Sequence, residues 1–285
     1  MEARIGVDIG GGGVRAGLVE DGRVGETVCE ALTDRSVEAV VDAVGRVVAQ
    51  IGDAPVGVGV PGFVHRQHVL ASPNFPTWRD VPLAEALSRR LARPVIIEND
   101  ANCATLGIWR ARGGEEDLVV LTLGTGVGGG VVTGRRLLRG ARGTGAELGH
   151  VFAGGDAPCG CGGIGCLEQW CGTVGLVRLA AAEGHSIADG RDLVEAAEEG
   201  HEWAATALRR AGEGLGRGLV TLVNVFNPDV VVIAGGLAQA DAWLAPPAEA
   251  WLRQFGIRAS VDHVRIVWEG PADRFAIVGA AEVAR

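Results

Sequence analysis

A chain of 285 residues is long enough for two domains with cores of their own, and 47% hydrophobic residues with a mean hydropathy of +0.23 mark a globular protein. A net charge of −9 and a pI near 5.2 exclude a surface built for nucleic acid or another polyanion. Every basic side chain is arginine, so no lysine can act as nucleophile, Schiff base or phosphate clamp. Ile5 to Ile9, I-G-V-D-I, predicts a short apolar strand broken by Gly10 to Gly13. Val14 to Glu20 resumes as a strand, and Asp21-Gly22 supplies a hairpin turn. Ser36 to Ile51 carries Val37, Val40, Val41, Val44, Val47, Val48 and Ile51 at helical spacing, with Ser36 placed to cap. Val56 to Val60 reads as a buried strand, Ser72 to Trp78 as a loop stiffened by prolines, and Leu83 to Leu91 as a helix. A strand over Val95 to Ile97 runs into E-N-D-A-N at Glu98 to Asn102, and a helix continues to Arg112.

Gly113-Gly114 reads as a linker, dividing the chain into a first domain of residues 1–113 closed by 273–285 and a second of 114–272. In the second, Leu118 to Leu123, G-T-G-V-G-G-G at Gly124 to Gly130 and a turn at Thr133-Gly134 repeat the opening pattern and suggest a duplication. Helices are predicted near Glu168 to Ala182, Asp189 to Glu199, Glu202 to Phe226, Ala242 to Phe255 and Phe275 to Ala284. Val230 to Ile233 and Val264 to Trp268 are strands between them. Strands alternating with helices, plus two hairpins, predict an α/β chain with mixed sheets.

The most specific stretch lies between Gly145 and Glu168. His150, Cys159, Cys161 and Cys166 form H-x8-C-x-C-x4-C, three soft sulfurs and one imidazole. That is a complete tetrahedral set for a structural Zn2+, with no position left for water. Glycines between the cysteines suit a chain turning sharply around an ion. A Gly-rich loop of buried, unliganded cysteines is the plain alternative. Disulfides fit less well, because Cys159 and Cys161 stand too close and nothing suggests an oxidising compartment. Glu147 and Glu168 flank the cluster, so an ion there would fix where two carboxylates point. No signal peptide opens the chain and no apolar run reaches the ~20 residues of a membrane span, so a cytoplasmic protein is expected.

The two Gly-rich bends can bring backbone N–H groups to phosphate oxygens without a lysine. Asp8 ends the first strand, where a carboxylate can hold Mg2+ directly or through water. Each bend alone reads equally as a structural hairpin. Their duplication, with Gly235-Gly236 at a further strand end, favours nucleotide binding. Asp100 follows a buried strand and opens an alanine-rich helix, at a sheet edge where ligands collect, and could accept a proton from an attacking hydroxyl. Glu98-Asn99-Asp100 also reads as a polar helix cap.

D-I-G-G at Asp8 to Gly11, E-N-D-A-N, L-G-T-G-V-G-G-G at Leu123 to Gly130, E-L-G-H at Glu147 to His150 and C-G-C-G-G-x-G-C-L-E together resemble the ROK family of sugar kinases and repressors, over essentially the whole chain. The resemblance implies the two-domain, actin-like (ribonuclease H-like) sugar-kinase fold, with a hexose and ATP-Mg2+ in a cleft that closes and excludes water. It implies Asp100 as the general base, and Asn74, Asn99, Glu147, His150 and Glu168, with Asp100, around the sugar. Asp8, Gly10, Gly11, Gly12, Gly124, Thr125, Gly126, Gly235 and Gly236 would serve the nucleotide and its metal. The chain departs from the family at Gly12 and Gly13, where D-I-G-G is usually followed by Thr and then Lys or Asn. A hydroxyl that would touch a phosphate is therefore missing; weaker ATP binding is the expected consequence, and a changed phosphate donor or a kinase reduced to sensing sugar is the severe alternative.

The expected activity is phosphorylation of glucose, or a close relative, at the 6-hydroxyl, with a kinase for another hexose or an N-acetylhexosamine as an alternative. The rival is a sensor or repressor of the same family without catalysis. Such members carry an added DNA-binding segment, for which a first strand starting near Arg4 leaves no room. A zinc-ribbon nucleic-acid module fails on charge and length. The partners expected are a small sugar and a nucleotide, no nucleic acid and no membrane, and a homodimer or higher homo-oligomer by default.

Overall fold

In the computed structural model, which describes residues 3–284, contacts divide the chain into two units. The first comprises residues up to Glu115, with Arg135–Ala146 and the stretch from Asp273 onward; the second comprises Glu116–Gly134 and Glu147–Ala272. The sequence reading put Arg135–Ala146 in the second domain. It groups with the first because Arg139 Nε donates to the Glu98 carboxylate at 2.5 Å and Gly143 lies directly against the Val64 backbone.

The first unit is built on a sheet of β1 (Arg4–Gly10), β2 (Gly13–Glu20), β3 (Arg23–Ala31), β4 (Val56–Val60) and, after three short strands, β8 (Val95–Asn99), in the order β3-β2-β1-β4-β8. β1 pairs antiparallel with β2 and parallel with β4, and β4 is parallel to β8. Alternation in I-G-V-D-I and V-G-V-G-V sends Ile5, Val7, Ile9, Val56, Val58 and Val60 into one core. Helix α1 (Val37–Ile51) adds Val40, Val44, Val47 and Val48 to it, and Ser36 caps that helix by accepting the Ala39 N–H at 3.3 Å. The glycines of the same strands serve the opposite face. A Cβ at Gly6 or Gly57 would collide with carbonyls of the closing helix (Asp273–Val283), so the helix backbone lies on the sheet. Three strands not anticipated from the sequence, β5 (Phe63–His65), β6 (His68–Ala71) and β7 (Arg79–Val81), form a small antiparallel sheet. They are too short to show periodicity. Between β7 and β8 runs α2 (Leu83–Leu91), and α3 (Asp100–Ala111) follows β8 without a break.

In the second unit, β9 (Leu118–Leu123) and β10 (Val127–Thr133) make a hairpin, with β11 (Val230–Ala234) and β12 (Arg265–Trp268) parallel to β9, in the order β10-β9-β11-β12. A hairpin joined to parallel strands is the arrangement of the first sheet too, which is the duplication the sequence suggested. The predicted helix from Glu168 to Ala182 is two, Glu168–Cys171 and Thr173–Ala182, separated at Gly172. The 25-residue helix Glu202–Phe226 ends on Asn227, left-handed at φ 45°, ahead of Pro228. Among the described residues no helix is long and apolar enough to cross a membrane.

Candidate active site

In the first unit, Asp8 of β1, Gly59 of β4 and Glu98 of β8 stand in one row across three parallel strands, and Asp100 follows two residues later. Ligands of open α/β sheets collect at such carboxyl ends. The side chain of Asn99 caps α3 by accepting the Asn102 N–H at 2.9 Å, while its Nδ2 donates to Gly62 O at 3.1 Å and to Asp100 Oδ1 at 3.0 Å. The cap reading and the site reading of this turn therefore describe one structure. Asn99, expected among the sugar ligands, has both ends of its amide engaged, and its visible task is to hold Asp100.

Asp100 Oδ1 also accepts the Ala101 N–H at 2.9 Å, so these two bonds share one oxygen. Burial pushes its pKa above the ordinary carboxylate value, against the Ala101 N–H, its own backbone N–H and the Asn99 amide. Asp8 is pushed up to about 6, by burial first and then by the charge of Asp100, against the pull of Arg15. Arg15 reaches Asp8 Oδ2 at 3.3 Å and Asp273 Oδ2 at 2.5 Å. Neither Arg15 nor Asp273 was singled out from the sequence. Arg15 could have been: a two-residue turn at Gly11-Gly12 pairs Gly10 with Gly13 and hence Asp8 with Arg15.

The first bend needs glycine for two different reasons. A Cβ at Gly11 would stand 2.6 Å from Asn74 Nδ2, and one at Gly13 would stand 2.7 Å from Glu30 O. Asn74 therefore lies directly on the bend that carries Gly10, Gly11 and Gly12. Gly12 borders open space. On β8, Glu98 is buried with both oxygens occupied. Oε1 accepts the Asn99 N–H and the Asn102 amide, each at 3.0 Å, and Oε2 accepts from Arg139.

In the second unit, the ligand atoms of His150, Cys159, Cys161 and Cys166 lie within 4.8 Å of one another. Sulfurs on a tetrahedral ion with bonds of about 2.3 Å stand about 3.8 Å apart. Cys161 Sγ and Cys166 Sγ are 3.7 Å apart, and Cys159 Sγ is 3.6 Å from His150 Nδ1. Bridges at Phe152–Cys166 and Pro158–Ile164 fold the loop back on itself, and Gly162 takes φ +91° in its turn. Burial and its neighbouring thiols push Cys166 up to about 12, while the Gly163 N–H holds Cys161 below the ordinary thiol value. Three thiols this close ionise together only around a cation, so the donor set fits a closed metal site. The imidazole meets the sulfurs through Nδ1, which leaves Nε2 as its second donor or acceptor.

Glu168 follows the cluster, its Oε1 3.7 Å from Cys159 Sγ and its Oε2 accepting the Val127 N–H at 3.1 Å. Glu147 is exposed and precedes the one-turn helix Leu148–His150, with its carbonyl accepting the His150 N–H. The bend Gly124-Thr125-Gly126 leaves the carboxyl end of β9, and Gly235-Gly236 leaves that of the adjacent parallel strand β11. Gly235 has φ +101°, and a Cβ there would meet the Leu123 carbonyl, so the two bends abut. Of the residues named from the sequence, Asp8, Gly10 to Gly12, Asn74, Asn99 and Asp100 gather in the first unit, and the rest in the second.

The ROK family pattern matches residues 4–285. A glucokinase of Thermotoga maritima is 36% identical over 98% of this chain and 96% of its own length. A ROK family glucokinase from Streptomyces griseus, solved in complex with glucose and AMPPNP, matches with a TM-score of 0.82 at 33% identity over 99% of both chains. A ROK hexokinase from Thermus thermophilus gives 0.81 at 32%, over 98% of this chain and 96% of that one. The chain belongs to the ROK family and has the fold of its sugar kinases.

Proposed function

We propose that this chain is an ATP-dependent glucokinase of the cytoplasm, transferring the terminal phosphoryl group of ATP to the 6-hydroxyl of glucose. Full-length similarity to glucokinases supports the activity. The observation that carries the chemistry is Asp100. The bonds from the Asn99 amide and the Ala101 N–H converge on Oδ1, which favours Oδ2 as the oxygen that receives the hydroxyl proton as the sugar attacks. Burial raises its basicity toward the range where a general base works best. Little covalent work falls to the protein in phosphoryl transfer, and positioning with charge stabilisation does the rest.

Asn74, Glu147, His150 and Glu168 are assigned to the sugar hydroxyls, with Asn99 acting on Asp100. The bends at Gly10 to Gly12, Gly124 to Gly126 and Gly235-Gly236 are assigned to the nucleotide. Asp8 would hold Mg2+, which supplies positive charge against the phosphate oxygens. His150, Cys159, Cys161 and Cys166 would hold Zn2+ as a structural ion.

A coupled assay with glucose, ATP and Mg2+ tests the activity, and no turnover across a panel of hexoses and N-acetylhexosamines would overturn it. Elemental analysis of protein purified without chelator should find one zinc per chain. The same assay tests the departure at Gly12. A Cβ at that position meets nothing within 4 Å, so Gly12→Thr begins from open space. One added hydrogen bond is worth about 1 kcal/mol, so the KM for ATP should fall roughly fivefold. An unchanged KM would show that the missing hydroxyl costs this enzyme nothing.

A further inference from the structure

We infer that Glu168 is a positioning residue tying the metal-holding loop to the Gly124–Gly126 bend, so that filling the cysteine–histidine cluster tightens nucleotide binding even with no sugar present. The inference rests on the assignment of that bend to nucleotide phosphates.

Glu168 stands two residues after Cys166 and opens the short helix Glu168–Cys171. Leu167 N–H donates to Val151 O and Gln169 N–H to Cys166 O, each at 2.9 Å, so the path of the metal loop sets where Glu168 begins. From there its carboxylate reaches the bend. Oε2 accepts the N–H of Val127, the first residue of β10. A Cβ at Gly126 would stand 2.5 Å from that oxygen, so the carboxylate is seated against the bend's backbone. The far side is held by the same segment, since Thr173 N–H donates to Thr125 O at 2.9 Å and a Cβ at Gly172 would stand 3.3 Å from that carbonyl. The bend is thus gripped at Thr125 and Val127 by residues that follow directly from the metal loop. An ion that fixes Cys166 fixes this grip, and its removal frees both.

The test is calorimetric binding of Mg2+-AMPPNP to the full chain without sugar. Zinc-loaded wild type is compared with Glu168→Ala, Glu168→Gln, Glu168→Asp and wild type stripped by chelator, with Tm and metal content checked for each. Losing a carboxylate acceptor for a backbone N–H should weaken the nucleotide roughly tenfold in Glu168→Ala, and stripping should do the same. Gln has the length to accept from Val127 N–H and should stay within about threefold. Asp keeps the charge but is one methylene short, and should behave like Ala. Its value decides the matter if Glu168→Ala does not fold. Wild-type affinity in Glu168→Asp, or in the stripped protein, would overturn the inference. Gly124→Val, with Tm checked, separates it from the underlying assignment: a Cβ at Gly124 meets no neighbour within 4 Å, and a branched side chain there would stand in the path of a phosphate. If Gly124→Val leaves affinity unchanged, the bend does not bind nucleotide. If it weakens binding while the Glu168 variants do not, only the link is wrong.

Discussion

Asp100→Asn should leave the sugar bound while kcat falls by ~10²–10⁴-fold, the range for a lost general base. The substitution is close to isosteric, and the bonds that hold the side chain survive it. Oδ1 still accepts from the Asn99 amide and the Ala101 N–H, so the first turn of α3 keeps its shape. Only the second oxygen changes, from a proton acceptor to an amide donor. The loss should therefore appear in kcat, with the KM for sugar and the calorimetric sugar affinity close to wild type. A merely structural residue would move both together. In the wild type, kcat should decline on the acid side at a pH above the ordinary carboxylate range, because burial raises the Asp100 pKa. Unimpaired turnover in the variant would remove Asp100 from the mechanism.

What could be read from the sequence was whatever local spacing encodes. The strand alternation, the Ser36-capped helix, the strand-to-helix junction at Asp100 and the cysteine–histidine quartet all lie within short windows. Pairings between segments distant in sequence escaped. Glu98 and Arg139 stand 41 positions apart, neither in a periodic pattern, and their ion pair helps bring Arg135–Ala146 to the first unit. Glu168 was read as a carboxylate steadied by the metal, yet its bond to Val127, also 41 positions away, could not be inferred from spacing. Asn99 is the subtler case. Its residue type suits both a cap and a ligand, and only the geometry shows its amide already engaged. Arg15 was within reach, because hairpin register is arithmetic once the turn is fixed.

Asp8→Asn should move stability and activity in opposite directions. The carboxyl of Asp8 titrates near 3.8 when free and near 6 in the folded chain. A group that holds its proton more tightly when folded favours folding fully below its unfolded pKa, and that advantage is lost as pH rises through the folded value. The window is therefore about pH 4 to 6, and at neutral pH the folded chain carries a carboxylate it would rather have protonated. A rise from 3.8 to about 6 corresponds to at most about 3 kcal/mol, with the favourable pull of Arg15 already included. Asparagine removes the buried charge and keeps an oxygen for Arg15, so Tm at pH 7.5 should rise by a few degrees. The gain should vanish near pH 4, where the wild type is protonated as well. Turnover with Mg2+-ATP should fall at least tenfold, since a neutral amide is a poor ligand for a hard cation. A lower Tm at pH 7.5 would mean that Asp8 is held by its ion pair and not strained by burial. An unchanged Mg2+ requirement and rate would mean that the metal sits elsewhere. A rise in Tm joined to a loss of rate is what an acid placed for metal binding, at a cost to folding, would produce.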